Sequence, residues 1–134
     1  TYEDCICFLF AKANQKAQAL LKKTLKPYGL TAVQILIIEA LWEDEGLTAG
    51  DLGKRLVLDN ATLSGVLDRL AEAGWISKET DTEDKRALRI TLSDKARENQ
   101  SALFQIREQV NGVLLESLSQ EETLLFKRFL KDLR

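Results

Sequence analysis

Cys5 and Cys7 are the only thiols of the 134-residue chain, and no histidine accompanies them. A thiolate is a nucleophile and a metal ligand, so the placing of the two sulfurs decides what they can do. From Tyr2 to about Lys26 the chain lacks Gly and Pro and is rich in Ala, Leu, Lys and Gln, which predicts a helix. On such a helix the two side chains would point roughly 200° apart, so they should neither bond each other nor chelate one metal within a subunit. Cys5 is expected to be a small buried hydrophobe beside Ile6, Phe8, Leu9 and Phe10, and both cysteines to rest as thiols. The absence of His excludes Ser/His/Asp and Cys/His triads and His-containing metal sites. No P-loop or GxGxxG run occurs, and the acids Glu43, Asp44, Glu45 and Asp81, Glu83, Asp84 read as solvated turns. The chain is expected to be no enzyme and to hold no cofactor or metal.

A second constellation suits recognition rather than catalysis. Leu63, Val66, Leu67 and Leu70 recur at i, i+3, i+4 and i+7, one helical face turned inward. The opposite face then carries Ala61, Thr62, Ser64, Gly65, Asp68 and Arg69, mostly small or hydrogen-bonding, with Asn60 expected as the N-cap. Small polar groups near a helix N-terminus can approach base edges and phosphates closely. Upstream, Thr48 with Asp51 forms a capping-box pattern, and Ala49, Leu52 and Leu56 give a short amphipathic helix ending before Val57. Two helices joined so tightly predict a helix-turn-helix.

Downstream, Gly74 should stop the second helix, after which Trp75 and Ile76 open a strand running to about Glu79. Leu88, Ile90 and Leu92 alternate with Arg89 and Thr91, a return strand with one apolar and one wet side. Between them TDTEDKR is too charged to pack and should be a solvent-exposed wing. The pattern Asp84-x-Arg86-x-x-x-Ile90-x-Leu92-Ser93, with LTAGDLGKRL and LDNATLSGVLDRLAEAGWI before it, resembles the MarR family of transcriptional regulators over essentially the whole chain. The resemblance implies a winged helix-turn-helix in which the helix from about Ala61 to Ala73 reads the major groove. It also implies that Arg86 enters the minor groove and is held by an ion pair from Asp84. The first and last helices would interlock two subunits, setting two reading heads on a pseudo-palindromic site in double-stranded DNA.

Within that family, CFLFA, KPYGLT and ALWEDEGLT resemble the organic-hydroperoxide-sensing branch, which implies that Cys7 is a peroxide-reactive thiolate near the dimer interface. Oxidation to a sulfenic acid and then a disulfide would spread the heads and release the operator. This chain departs from the branch where its tyrosines orient the sulfur: Ala11 and Ala32 stand there instead. The replacements should enlarge an apolar cleft between the first helix and the DNA-binding lobe, which points to an aromatic acid or an acyl thioester as effector. Three classes of function follow: a DNA-binding repressor released by such a ligand or by oxidation at Cys7, a winged-helix dimer that binds protein rather than DNA, and a thiol enzyme.

The remaining elements must build this scaffold. Thr31 with Gln34 starts a helix that should carry Ile35, Leu36, Ile38 and Leu41 into the core and end near Gly46. A long helix is expected from Ser93 to about Leu118, and Ser119 with Glu122 caps a last one. There Leu124, Leu125, Phe126, Phe129, Leu130 and Leu133 span more of the wheel than a surface helix needs, as a homodimer would explain. The expected organisation is a single domain, mainly α with a small β-hairpin: residues 1–29 and 94–134 dimerise, and residues 30–93 form the DNA-binding lobe.

Composition is that of a globular protein, 45% hydrophobic and 30% charged, with no segment that reads as a membrane span or signal. A cytoplasmic location is expected. Charge cuts against DNA: the net charge is −2, and residues 47–92 hold seven Lys and Arg against eight Asp and Glu. Lys54, Arg55, Arg69, Lys78, Lys85 and Arg86 must therefore gather toward the duplex while the acids turn away. Asp68 and Glu72 are the awkward ones, carboxylates that the recognition helix would carry toward phosphates; Asp68 is expected to hold Arg69 or Lys54 or to accept from a cytosine amino group.

Overall fold

The computed structural model describes residues 1–134. Seven helices and one hairpin follow in order: α1 (Ile6–Leu25), α2 (Ala32–Glu43), α3 (Ala49–Leu56), α4 (Asn60–Glu72), β1 (Ile76–Thr80), β2 (Leu88–Leu92), α5 (Asp94–Glu98), α6 (Gln100–Leu114) and α7 (Gln120–Asp132). A mainly helical winged helix-turn-helix is thus what the sequence pattern encodes. β1 and β2 pair antiparallel, Ile76 opposite Leu92 and Thr80 opposite Leu88, and Thr48 adds an isolated bridge to Arg89.

The helix starts obey their side chains. Thr31 and Gln34, Thr48 and Asp51, and Ser119 and Glu122 each exchange two hydrogen bonds in a capping box, so the first-turn N–H groups of α2, α3 and α7 gain acceptors. Gly29 and Gly74 take φ of +66° and +84°, left-handed values that end the preceding turns without the steric cost a side chain would add. One core of 18 residues joins α2, α3, α4 and the hairpin to α1 and α6 through Leu25 and Leu103. The predicted inward face of α4 is buried throughout, and truncating Leu70, which has no exposed surface, to Ala would cost about 2–5 kcal/mol.

Several expectations are corrected. The first helix begins at Ile6, after a 3-10 turn over Tyr2–Asp4, so Cys5 stands at its N-cap in extended conformation (φ −70°, ψ 122°) and not on the helix with Cys7. The wheel argument for divergent thiols therefore does not apply, and Cys5 is exposed rather than buried. The helix expected after Ser93 is broken at Asn99, whose ψ of 3° and side-chain bond to the Lys95 carbonyl (2.9 Å) interrupt it, and α6 ends at Leu114. α2 stops at Glu43, and Ile37 fills the core where Leu36 was expected. Leu36 is half exposed because its side of the helix faces a cleft.

No helix is long and apolar enough to cross a membrane. α7 has no buried residue although its capping and length are those of a stable helix, and Leu124, Leu125, Phe126, Phe129 and Leu130 stand exposed along it. Helices of this size gain most of their stability from packing, so an uncovered apolar face calls for a partner.

Candidate nucleic-acid interface

The position of α4, the candidate reading helix, is set by its approach to α3. A Cβ on Gly53 would stand 3.4 Å from the Leu58 carbonyl and from the Leu63 side chain, van der Waals contact that marks how closely α3 meets the start of α4. Between them Val57 closes the turn in the left-handed region (φ 54°, ψ 51°), with its side chain 89% exposed. Sequence reasoning assigned Asn60 as the cap of α4, whereas Asp59 performs it and Asn60 is the first helical residue. Asp59 accepts from the Thr62 N–H and the Thr62 hydroxyl, both at 2.8 Å. Those bonds hold its carboxyl below the usual carboxylate range. Aspartate and asparagine cap almost equally well, so a D-N pair does not reveal which of them is outside the helix.

Ala61, Thr62, Ser64, Asp68 and Arg69 lie exposed on one face of α4, as expected, with Gly65 partly covered because Arg69 folds back over it. A shallow groove runs beside this face, bounded by Ala49, Gly50, Asn60, Ser64, Asp68 and Lys78. Asp68 pairs there with Lys78 of β1, not with Arg69 or Lys54. Lys78 reaches it because β1 follows α4 through the Gly74 turn, and the pairing joins reading helix to sheet.

The wing is ordered by its own acids. The Asp81 N–H donates to the Ala87 carbonyl (3.0 Å) and the Ala87 N–H to the Asp84 carbonyl (2.9 Å). Asp84 Oδ1 accepts from the Arg86 backbone N–H at 3.0 Å and stands 3.5 Å from its Nε, which is the expected wing ion pair in a loose form. Arg86 is left 94% exposed, with Lys85 exposed beside it. Of the other expected cations, Lys54 is exposed on α3, and Arg55 is drawn away to Asp44 (2.7 Å).

A second candidate region lies on the opposite side of α2. Leu21 and Leu25 of α1, Ala32, Ile35 and Leu36 of α2, and Ile106 and Val110 of α6 enclose a cleft of about 250 Å³. Ala32 lines it, as the enlarged-pocket argument requires, but Cys7 and Ala11 do not. At its edge Arg107 Nη1 donates to Glu39 Oε2 at 3.2 Å and stacks on Phe104, 4.6 Å from the ring centre. Burial pushes the Glu39 carboxyl up, against the pull of Arg107. The thiols lie elsewhere, exposed at the start of α1; the backbone N–H groups of Phe8 and Cys7 hold the Cys5 thiol below its ordinary range.

An exposed helix of small polar residues beside a basic wing tip defines a winged helix-turn-helix of the nucleic-acid-reading kind. The MarR family profile matches residues 30–88. Over 118 residues the chain is 30% identical to the HTH-type transcriptional regulator SarZ of Staphylococcus epidermidis, covering 88% of this chain and 78% of SarZ. It is 33% identical over 92 residues to the organic hydroperoxide resistance transcriptional regulator of Bacillus subtilis, covering 69% of this chain and 63% of that protein. A crystal structure of a probable transcriptional regulator from Pseudomonas aeruginosa superposes with a TM-score of 0.94 at 30% identity, covering both chains completely. The chain belongs to the MarR family, and is a DNA-binding transcriptional regulator rather than an enzyme.

Proposed function

We propose that the protein is a homodimeric repressor that reads a pseudo-palindromic duplex with α4 and the wing, and that a small apolar or aromatic acid entering the α1–α2–α6 cleft releases it. The observation that carries the DNA reading is the exposed face Ala61, Thr62, Ser64, Asp68, Arg69 set beside an Arg86 that is 94% exposed. Residues 30–93 form the reading lobe, with Asn60, Ala61, Thr62, Ser64, Gly65, Asp68 and Arg69 over the major groove, Lys54 and Lys85 on phosphates, and Arg86 in the minor groove. Residues 1–29 and 94–134 pair the subunits, covering the apolar side of α7. Such a dimer works in the cell's DNA compartment, in keeping with the cytoplasmic expectation.

The effector reading rests on Glu39 and Arg107. An apolar body fits among Leu21, Ile35 and Ile106, while its carboxylate competes with Glu39 for the guanidinium. Release then requires the ligand to favour one spacing of the reading heads over the other. The decisive experiment is fluorescence anisotropy on duplex from the protein's own upstream region. Wild type should bind in a strongly salt-dependent way, Arg86→Ala more weakly with the dimer intact, and Glu39→Gln should respond to aromatic acids at lower concentration. Binding to protein partners without salt-dependent duplex binding would replace this reading with the interaction-dimer one.

A redox reading is favoured by one observation, an exposed Cys5 at the N-cap of α1 whose thiol the Phe8 and Cys7 N–H groups hold below its ordinary range. A hydroperoxide would convert the Cys5 thiolate to a sulfenic acid with release of an alcohol, and a second thiol would then displace water to form a disulfide. Peroxide-induced release that survives in Cys7→Ser and is lost in Cys5→Ser would establish it; release lost only in Cys7→Ser would return the sensing role to Cys7.

A further inference from the structure

Three arginines from three different elements converge on three consecutive residues, the Asp44-Glu45-Gly46 turn between α2 and α3. Arg55 of α3 reaches Asp44 and Arg97 of α5 reaches Glu45, each at 2.7 Å, while Arg89 of β2 donates through Nη1 to the Gly46 carbonyl. Gly46 has a φ of +84°, and a Cβ there would stand 3.3 Å from that same Nη1, so the carbonyl is presented to the guanidinium by a backbone that favours glycine. The other arm of Arg89, Nη2, lies 3.1 Å from Asp81 Oδ2, and the Asp81 side chain is only 11% exposed.

Asp81 stands at the foot of the wing. Its N–H closes the loop onto Ala87, and its Oδ1 accepts from the Glu83 N–H at 3.1 Å, so Asp84, Lys85 and Arg86 all sit in the loop that it anchors. The backbone beside Arg89 is fastened to the same turn, the Ile90 N–H donating to the Leu47 carbonyl at 3.0 Å. One guanidinium therefore spans the foot of the wing and the turn that leads into the helix-turn-helix. A lysine cannot reproduce that span, because a single ammonium lacks the two-armed planar fork.

We propose that Arg89 is a positioning residue that fixes the wing, and with it Arg86, relative to α4, and that it does not itself bind DNA. The proposal rests on the DNA reading above but is testable apart from it. Arg89 lies outside the hydrophobic core, so Arg89→Ala should leave the fold intact while loosening the wing. In wild type the substitution should weaken duplex binding about tenfold, a coupling normal for residues of one network; in an Arg86→Ala background it should cost less than about twofold, because the side chain being positioned is gone. Arg89→Lys should behave as Arg89→Ala. Amide exchange at Asp81, Ala87 and Ile90 should accelerate in the free protein while α4 amides stay protected.

An Arg89→Ala effect that adds fully to that of Arg86→Ala and is rescued by lysine would make Arg89 a phosphate contact and overturn the proposal. Unchanged exchange at the three amides would overturn it as well, whether or not wild type binds duplex. Absence of salt-dependent binding in wild type would instead remove the DNA reading, and leave the exchange measurement to decide whether Arg89 holds the wing.

Discussion

Replacing Asp68 with asparagine removes a carboxylate from the middle of the reading face and frees Lys78 without changing shape. Asp68 is 55% exposed and its partner Lys78 29%, so the pair is a surface one and its loss should cost at most about 1 kcal/mol of stability. Its effect on DNA should be larger. Lys54, Arg69, Lys85 and Arg86 extend from the reading surface, and none but Arg86 has an acidic partner. If Lys54 and Lys85 each meet a phosphate in both subunits, log K should fall against log salt with a slope of about −3.6. Freeing Lys78 adds one contact per subunit and steepens that slope by about 1.8, which at roughly 0.15 M salt is up to about thirtyfold tighter binding to random duplex. The assay is anisotropy titration between about 0.05 and 0.3 M salt on operator and random duplexes, a range in which such slopes are well measured. A steeper slope on both would assign Asp68 the role of holding Lys78 back. A weaker operator complex beside tighter random binding would mean that Asp68 reads a cytosine amino group, a contact of about 1–3 kcal/mol. An unchanged slope on both would refute the placement of Asp68 and Lys78 against the duplex.

Val57→Gly should stabilise the protein by about 0.5–1 kcal/mol in urea titration: relief of a left-handed β-branched residue, about 1–2 kcal/mol, exceeds the added freedom of the unfolded chain. A loss of stability would show that Val57 makes a contact that its 89% exposure hides. Asp51, Asp59 and Asp81 all have carboxyls held below their ordinary value of 3.8, first by backbone N–H groups at Thr48, Thr62 and Glu83 respectively. Depressed folded values mean that their contribution is complete above pH about 4 and is lost as pH falls through the folded pKa values. The Asp59→Asn variant, still capped, should therefore lose less urea resistance than wild type between pH 5 and pH 2, and equal losses would refute the assignment. Iodoacetamide at neutral pH should label Cys5 before Cys7, as peptide mass mapping would reveal, and the reverse order would remove the activating role of the α1 N-terminus.

Periodic apolar residues and capping pairs were the legible part of the fold. The i, i+3, i+4, i+7 face of α4, the capping boxes at Thr31, Thr48 and Ser119, and the alternation of Leu88, Ile90 and Leu92 each express one local force. The breaks were not legible, since Asn99 interrupts a favourable helical run and Cys5 stops being helical where nothing in composition marks it. Within the site, the reading face and wing could be placed from sequence, but ion-pair partners could not. Lys78 of β1 meets Asp68 of α4, and Arg89 meets Asp81 across the hairpin, and both depend on a packing and register that no single side chain reveals. The closeness of Gly53 to Leu58 and Leu63 was hidden for the same reason, since it exists only once α3 and α4 are packed.

The objection from net charge is met by where the acids are bound. Of the acids between residues 47 and 92, Asp51 and Asp59 cap helices, Asp81 and Asp84 order the wing, and Asp68 holds Lys78. Each is engaged by N–H groups or a cation of its own lobe, which lowers the repulsion it can exert on a phosphate. Lys54, Arg69 and Lys85 have no such acidic partner and extend outward on flexible stems, free to exchange counterions for phosphates. A formal count weighs both sets equally, although only the second can move to a ligand. Glu72, Glu79 and Glu83 are exposed without a partner and match those three cations in number, so the free charge of the lobe balances, and it is the position of the cations rather than an excess of them that DNA would meet. The same reasoning sets Asp68 apart from the capping acids and from Asp84: it withholds a cation that DNA could use without itself ordering a turn or the wing, so its substitution should increase affinity where the loss of a capping acid would lower it.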